Sequence, residues 1–279
     1  MKRKKIRASY VADFVEYLCR EEKSPATIKK YERDVRNFRK FIGHRTMNKE
    51  AVINYKIQIS KSYAPASVNS MIASLNSFFR YVGYDECCLK YVKVQKQMFE
   101  ADEKNLSYDD YRKLLDIAGD SQIGAIIKTL CGTGIRVSEL KYITVSAVRC
   151  GKAVVECKNK KRIILIPHHM QNFLISYILK NDIKDGPVFV SRNGNPVDRT
   201  NIWKKMKELC MEADVSPEKV FPHNLRHLFA RMFYSMDGDI VRLADVLGHS
   251  NINTTRIYTM ETGREHLELL EKLQEILTT

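Results

Sequence analysis

The chain has 279 residues, of which 44% are hydrophobic and 29% are charged, a composition typical of a globular protein. It contains no run of roughly 18 apolar residues, and its basic N-terminus passes directly into an amphipathic segment. We therefore expect neither a membrane span nor a signal peptide, and predict a cytoplasmic protein. The seven cysteines are scattered and form no C-x-x-C pair, which argues against a zinc knuckle or a disulfide framework.

Positive charge is concentrated in the first part of the chain. The formal net charge is +14, and residues 1–100 contain 21 lysines and arginines against 10 aspartates and glutamates, a net of +11. Basic regions of this kind are typical of proteins that bind a polyanion such as nucleic acid. A solvated basic surface is the alternative that charge alone leaves open.

The first part of the sequence predicts four amphipathic helices, because apolar residues recur there at helical spacing. The second helix has the clearest boundaries, since Ser24 is a favoured N-cap, Pro25 suits the first helical position and Gly43 suits the end. We expect these helices to form one compact domain over residues 1–84. The predicted helical segments lie within residues 9–22, 24–43, 48–60 and 64–84.

The remainder of the chain follows a different pattern. Residues 85–104 are polar and weakly periodic, so they are predicted to be a linker. Helical periodicity restarts with Ser107 as an N-cap, and two valine- and isoleucine-rich runs flank a polar turn within residues 153–167, which predicts a β-hairpin. Helices then continue to the end of a second domain, residues 105–279. The expected fold class is mainly α with a small antiparallel β-sheet, in two domains.

Two motifs around this hairpin contain side chains suited to phosphate chemistry. In GTGIRVSEL, Arg136 follows two glycines, and its guanidinium group can donate to two phosphate oxygens at once. Glu139 is placed to pair with Arg136 and hold its plane. The turn KNKK offers Lys158, with Lys160 as the alternative, as a proton donor to a leaving oxygen. Taken singly, these motifs also fit a surface ion pair and a solvated basic turn.

Two further motifs contain histidines. In FPHNLRHLFA, His223 and Arg226 are three residues apart on one helical face, so they can hold two oxygens of one phosphodiester. His227 is expected to face another way. In LGHSNINTTRIYTM, His249 follows a predicted helix end, and Tyr258 comes nine residues later. A surface helix, a capping histidine and a core tyrosine are the ordinary alternatives.

The order of these motifs resembles the tyrosine recombinases, the phage integrase and Xer-type family. The local sequences GTGIRVSEL, HNLRH and LGHSNINTTRIYT are close to those of the family. The resemblance implies a helical core-binding, SAM-like DNA-binding domain at residues 1–84 and a linker at residues 85–104. It also implies a mixed α/β catalytic domain at residues 105–279 that ends in an exchange helix.

The activity implied by this resemblance is site-specific recombination, in which DNA is cleaved and rejoined for integration, excision, inversion or resolution. Tyr258 would attack a phosphodiester, form a 3′-phosphotyrosyl bond and release a 5′-hydroxyl. Arg136 and Arg226 would neutralise the charge that develops around phosphorus. No cofactor or metal ion is expected, because the arginines and a lysine take the role that Mg²⁺ fills in nucleases.

The remaining roles that the resemblance implies belong to proton transfer and phosphate binding. His223 would donate to a non-bridging oxygen or accept the proton of the tyrosine, and His249 would hydrogen-bond the phosphate. Lys158 would act as the general acid, but Cys157 stands where the family commonly has a glycine, so Lys160 stays an alternative.

The partners implied by the resemblance are double-stranded DNA and further copies of the chain. A monomer in solution would assemble into a homotetramer on DNA in the nucleoid, with an accessory DNA-bending protein as a further candidate partner and no membrane. The tail, residues 263–279, predicts an amphipathic helix that packs either in cis or on a neighbouring protomer. Its apolar stripe consists of Leu267, Leu270 and Leu273, with Ile276 or Leu277.

Two other functions share these features. A type IB topoisomerase-like strand transferase would use a similar site as a monomer, and a catalytically silent DNA-binding protein would share the fold. The helical first domain favours a recombinase over a topoisomerase. The full set of candidate residues argues against a catalytically silent protein.

Overall fold

A computed structural model describes residues 8–43, 45–93, 105–157, 160–249, 251–258 and 271–277. The chain divides into two compact units, residues 1–96 and residues 97–279. The described residues are mostly helical and include one two-stranded antiparallel sheet. The predicted fold class is therefore confirmed.

The described part of the first unit contains four α-helices. The second begins as predicted, because the Ser24 side chain accepts a hydrogen bond from the Thr27 backbone N–H at 3.3 Å. It ends at Gly43, whose φ of 58° lies in the left-handed region that favours glycine. The helices are α1 (Ala8–Arg20), α2 (Pro25–Ile42), α3 (Lys49–Ser62) and α4 (Pro65–Tyr81).

Aromatic rings fill the centre of this first unit. Phe14 meets Phe78 edge to face with ring centroids 5.3 Å apart, and Phe38 meets Phe79 in the same way at 5.4 Å. All four side chains are buried. The apolar stripes read from the sequence therefore form one core.

Residues 85–93, which were predicted to belong to a linker, pack onto α4. The Asn76 side chain donates to the Leu89 carbonyl at 2.9 Å and accepts from the Leu89 backbone N–H at 2.7 Å. Asn69 makes the same pair of bonds with Val92. These two asparagines give the segment backbone partners that its sequence alone does not reveal. Residues 94–104 lie outside the described residues.

The described part of the second unit contains seven α-helices and a β-hairpin. The 3₁₀ segments that matter for the site are Val137–Tyr142 and Arg256–Tyr258. The helices are α5 (Tyr108–Ala118), α6 (Gln122–Thr133), α7 (Val145–Cys150), α8 (His168–Lys180), α9 (Arg199–Glu212), α10 (Pro222–Asp237) and α11 (Ile240–Leu247), and the strands are β1 (Lys152–Cys157) and β2 (Lys160–Leu165).

The hairpin has one face toward the core and one toward solvent. Its antiparallel register runs from Lys152 opposite Leu165 to Cys157 opposite Lys160. Because side chains alternate along a strand, one set is buried and the other exposed. The buried set is Ala153, Val155 and Ile164, and the exposed set is Val154, Ile163 and Leu165.

The loop after α6 brings the candidate site close to α10. Gly134 ends α6 with a φ of 61°, and a Cβ at this position would overlap the Phe229 ring of α10. Only glycine fits both the backbone conformation and this close approach. As a result, the segment that carries Arg136 lies directly beside the helix that carries His223 and Arg226.

Helical backbone is also described at residues 271–277. Its apolar side chains are open to solvent, with 50% of Leu273, 74% of Ile276 and 74% of Leu277 exposed. Leu267 and Leu270, the first members of the predicted stripe, lie outside the described residues.

Candidate active site

Arg226 lies at the centre of the candidate site and is 1% exposed. Its Nη1 donates to the Gly134 carbonyl at 2.5 Å, and its Nη2 donates to the Leu247 carbonyl at 2.7 Å. Nη2 also lies 2.8 Å from His249 Nε2, and the guanidinium group hydrogen-bonds the side chain of Tyr258. Burial and the nearby charge of Arg136 lower the pKa of Arg226 to about 10. The buried cation of Arg226 therefore contacts two other predicted site residues, His249 and Tyr258.

His249 is oriented by bonds on both ring nitrogens. Because an arginine only donates, His249 Nε2 accepts from Arg226, so the ring proton is on Nδ1 and is donated to Thr255 Oγ1 at 2.8 Å. Burial and the charge of Arg226 lower the pKa of His249 to about 4, which keeps the ring neutral. In this arrangement His249 Nε2 holds Arg226 and is not free to donate to a phosphate.

Tyr258 is 3% exposed and is surrounded by histidine rings. His249 stacks on it with ring centroids 5.8 Å apart, and His223 lies 6.3 Å away. Among the described residues, Tyr258 belongs to the short 3₁₀ segment Arg256–Tyr258. The structure thus brings Tyr258, His223, Arg226 and His249 together.

His227 corrects one expectation from the sequence. It was expected to face away, but its ring lies 4.5 Å from that of Tyr258 and 4.5 Å from that of His223, centroid to centroid. Burial and the neighbouring His223 lower its pKa to about 4. The spacing could have revealed this, because His223 and His227 are four residues apart and share a helical face.

Arg136 keeps its guanidinium group partly open, with 43% of the side chain exposed. Its Nη1 lies 3.0 Å from Glu139 Oε1, and its backbone N–H donates to Glu139 Oε2 at 2.9 Å. Glu139 is buried, so one carboxylate holds both the main chain and the side chain of Arg136. The predicted Arg136–Glu139 pair is therefore present, with one guanidinium nitrogen and the backbone N–H of Arg136 bound to the same carboxylate.

Arg162 and Thr255 are site neighbours that the sequence reasoning missed. Arg162 Nη2 lies 3.3 Å from Glu139 Oε2, and Nη1 donates to the Leu247 carbonyl. Thr255 is fully buried and fixes His249. Arg162 has no local signal, because its contacts depend on how distant segments pack, whereas Thr255 lies six residues after His249 in the same motif.

The candidate lysines cannot be placed in the site. Lys158 lies outside the described residues, and only the backbone of Lys160 is described. Among the residues with described coordinates, no group of three histidine, cysteine, aspartate or glutamate side chains could hold a metal ion. Within the same described ranges, no helix is both long and apolar enough to cross a membrane.

Comparison with known families agrees with this architecture. Residues 104–264 match the model of the phage integrase family, and residues 11–83 match the N-terminal SAM-like domain of phage integrases. The chain belongs to the phage integrase family. The prediction made from the order of the motifs is therefore confirmed.

Individual relatives of this phage integrase family member are distant but similar over nearly the full length. The tyrosine recombinase XerA of Thermococcus kodakarensis is 28% identical, and the aligned region covers 94% of this chain and 96% of the relative. A crystal structure of XerA recombinase is 26% identical, with a TM-score of 0.54 and coverage of 95% and 97%. A lambda integrase tetramer bound to a Holliday junction is 17% identical, with a TM-score of 0.73 and coverage of 90% and 76%.

Proposed function

We propose that this chain is a site-specific DNA recombinase that cleaves and rejoins DNA through a 3′-phosphotyrosyl intermediate. The observation that carries this proposal is the placement of Tyr258 against the buried guanidinium group of Arg226, with Arg136, His223 and His249 around them. A phenol beside guanidinium groups fits nucleophilic attack on a phosphodiester, since the same cations stabilise a phenolate and a phosphorane.

In the proposed reaction, the Tyr258 oxygen forms a bond to phosphorus as the bond from phosphorus to the 5′-oxygen breaks. The phenolic proton passes to His223, whose pKa is below its ordinary value of 6.5 because of partial burial and the charges of Arg226 and Arg136. A neutral His223 at neutral pH is able to accept a proton. A second 5′-hydroxyl then attacks the phosphotyrosyl bond, which reseals the strand without an outside energy source.

The arginines take different parts in binding the phosphate. Arg136, which is partly exposed, meets a non-bridging oxygen first, while Arg226 becomes available when Tyr258 moves off it. Because Tyr258 is 3% exposed, its hydroxyl must shift toward the DNA before it can attack in line. His249 orients Arg226 in the DNA-free state and donates to the phosphate only after its Nε2 is released and gains a proton.

The proton for the leaving 5′-oxygen comes from a lysine of the hairpin turn. Lys158 is our first candidate and Lys160 the second, since β1 and β2 end on either side of the turn. No metal ion or other cofactor takes part, because guanidinium and ammonium groups carry out charge stabilisation and protonation.

The proposed partner is double-stranded DNA in the nucleoid of the cytoplasm. Residues 1–84, with their net positive charge, serve as the core-binding domain, residues 85–104 as the connection and residues 105–279 as the catalytic domain.

The lambda integrase neighbour is a tetramer on a Holliday junction, which supports a homotetramer on DNA built from monomers. The exposed Leu273, Ile276 and Leu277 support docking of the tail on a neighbouring protomer. An accessory DNA-bending protein would complete such a complex.

The comparisons do not favour the two alternative functions, a type IB topoisomerase-like transferase and a silent DNA-binding protein. A nicked suicide substrate that contains the target site tests the proposed function directly. Wild-type protein should form an adduct with DNA that survives denaturant, and Tyr258→Phe should bind the same DNA without forming one. Adduct formation by Tyr258→Phe at the wild-type rate would refute the assignment of the nucleophile.

A further inference from the structure

Arg162 occupies a position between the two arginines of the proposed site. It lies on β2 opposite Val155, on the buried face of the hairpin, and only 14% of its side chain is exposed. The proposed reaction gives it no role. A guanidinium group is costly to bury, so its retention inside the unit calls for a physical reason.

The contacts of Arg162 reach both arginines through shared partners. Its Nη2 forms an ion pair with Oε2 of Glu139 at 3.3 Å, without a hydrogen bond, and the same carboxylate holds Arg136. Its Nη1 donates to the Leu247 carbonyl, which also accepts from Arg226. One side chain therefore connects the 3₁₀ segment after Arg136, the β-hairpin and the end of α11.

The absence of a side chain at Gly248 leaves room for the side chain of Arg162. Gly248 has a φ of 64°, and a Cβ at Gly248 would overlap the Arg162 guanidinium group and its Cδ. The segment that leads from Leu247 to His249 thus passes directly over Arg162. The surface ion pair of Arg242 and Asp237 differs, because its arginine is 63% exposed.

The positive charges around Arg162 exceed the negative charges. Arg136, Arg162 and Arg226 are joined by only one described carboxylate, that of Glu139, so the cluster carries a net charge of +2. Burial lowers the pKa of Arg162, and Glu139 opposes that shift. A phosphodiester attacked by a phenolate becomes a phosphorane with two negative charges, which matches the excess of the cluster.

We propose that Arg162 is a positioning residue that holds Arg136 and Arg226 in one rigid cluster through Glu139 and the Leu247 carbonyl, and adds positive charge behind the phosphate. This inference rests on the proposed function. Arg162 does not itself touch the DNA. It acts through the two arginines that do.

Single-turnover cleavage of the suicide substrate tests this role, with DNA affinity measured in parallel. Arg162→Met should lower the cleavage rate about 10- to 100-fold, as losing an outer residue that orients an active group typically does, while affinity for DNA changes little. Arg162→Lys keeps the charge but cannot reach Glu139 and the Leu247 carbonyl at once. Its cleavage rate should therefore fall between those of wild type and Arg162→Met. Arg242→Met, which removes an exposed guanidinium group of the same unit, should cleave like wild type.

A second substrate separates positioning from a general loss of folding. A neutral methylphosphonate at the scissile position removes one negative charge from the reacting centre, so a protein with a weakened arginine cluster should lose less rate on it than on phosphate. An equal loss on both substrates, a wild-type rate for Arg162→Met, or full activity of Arg162→Lys would each overturn the proposal. Absence of an adduct with wild-type protein would instead overturn the proposed function, and it is visible in the same experiment.

Discussion

At the scale of single residues, the charge of Arg226 explains why the site can bind an anion. Buried charges in proteins are usually paired with an opposite charge. The described partners of Arg226 are instead two carbonyl oxygens, a neutral histidine and a tyrosine. Its positive charge is solvated but not neutralised, so a phosphate that reaches it meets an uncompensated cation.

Two half-buried histidines predict how the stability of the protein depends on pH. The pKa values of His227 and His249 are lowered to about 4 from 6.5, mainly by burial. Between these values the unfolded chain binds protons that the folded chain does not, so stability is complete above about pH 6.5 and falls toward about pH 4. We expect a lower Tm at about pH 5 than at about pH 7.5.

The variant His227→Phe tests this assignment, because phenylalanine keeps a ring beside Tyr258 and removes the titrating group. Its Tm should change less between the two pH values than that of wild type. His169→Phe changes an exposed histidine and serves as the control, with a pH dependence like that of wild type. An unchanged pH dependence in His227→Phe would show that His227 is not the group responsible.

Residues of the site differ in how far they could be predicted. Arg136, His223, Arg226, His249 and Tyr258 stand in local motifs with recognisable order, and the structure brings them together. Arg162 contributes through a contact with Leu247, which is 85 residues away, whereas Thr255 contacts His249 within the same motif. The Arg162 contact follows from tertiary packing, which no short motif encodes.

At the scale of helices and strands, local chemistry predicts the boundaries well. Ser24 and Ser107 cap α2 and α5 because their hydroxyls accept backbone N–H groups that the first turn leaves unpaired. The segment of residues 85–93 escaped prediction because its backbone partners are the side chains of Asn69 and Asn76, which are distant in sequence. Polar composition indicated a linker, whereas two asparagines hold the segment on α4.

Substitutions in the hairpin turn can identify which lysine is the general acid. A 5′-bridging phosphorothiolate at the scissile position has a thiolate leaving group, which departs without a proton. If Lys158 is the acid, Lys158→Ala should cleave the normal substrate about 100- to 10,000-fold more slowly and recover most of its rate with the sulfur substrate.

Lys160→Ala is the matched control on the same turn. It should cleave both substrates at rates near those of wild type. Recovery by sulfur in Lys160→Ala but not in Lys158→Ala would reverse the assignment. Recovery in neither variant would place the proton donor outside the turn.

At the scale of the whole molecule, the tail links the single chain to its proposed assembly. Residues 271–277 expose their apolar side chains, so deleting residues 271–279 should change the Tm of the protein little. The same deletion should reduce the formation of tetramers on paired DNA sites. Thermal unfolding and sedimentation of the DNA complexes measure the two effects separately.

The double variant Glu271→Gln, Lys272→Gln alters the same segment without touching its leucines and should assemble like wild type. A large fall in Tm on deletion would show that the tail packs on its own chain. Normal tetramers after deletion would show that the tail does not join protomers.

The central claim is that Tyr258 becomes joined to a 3′-phosphate of DNA. Mass spectrometry of the trypsin-digested covalent complex tests it most directly, because cleavage after Arg256 and Arg264 releases residues 257–264, which contain Tyr258 as the single tyrosine. We predict that this peptide carries the nucleotide through its 3′-phosphate. A nucleotide on any other residue, or a link through a 5′-phosphate, would contradict the account.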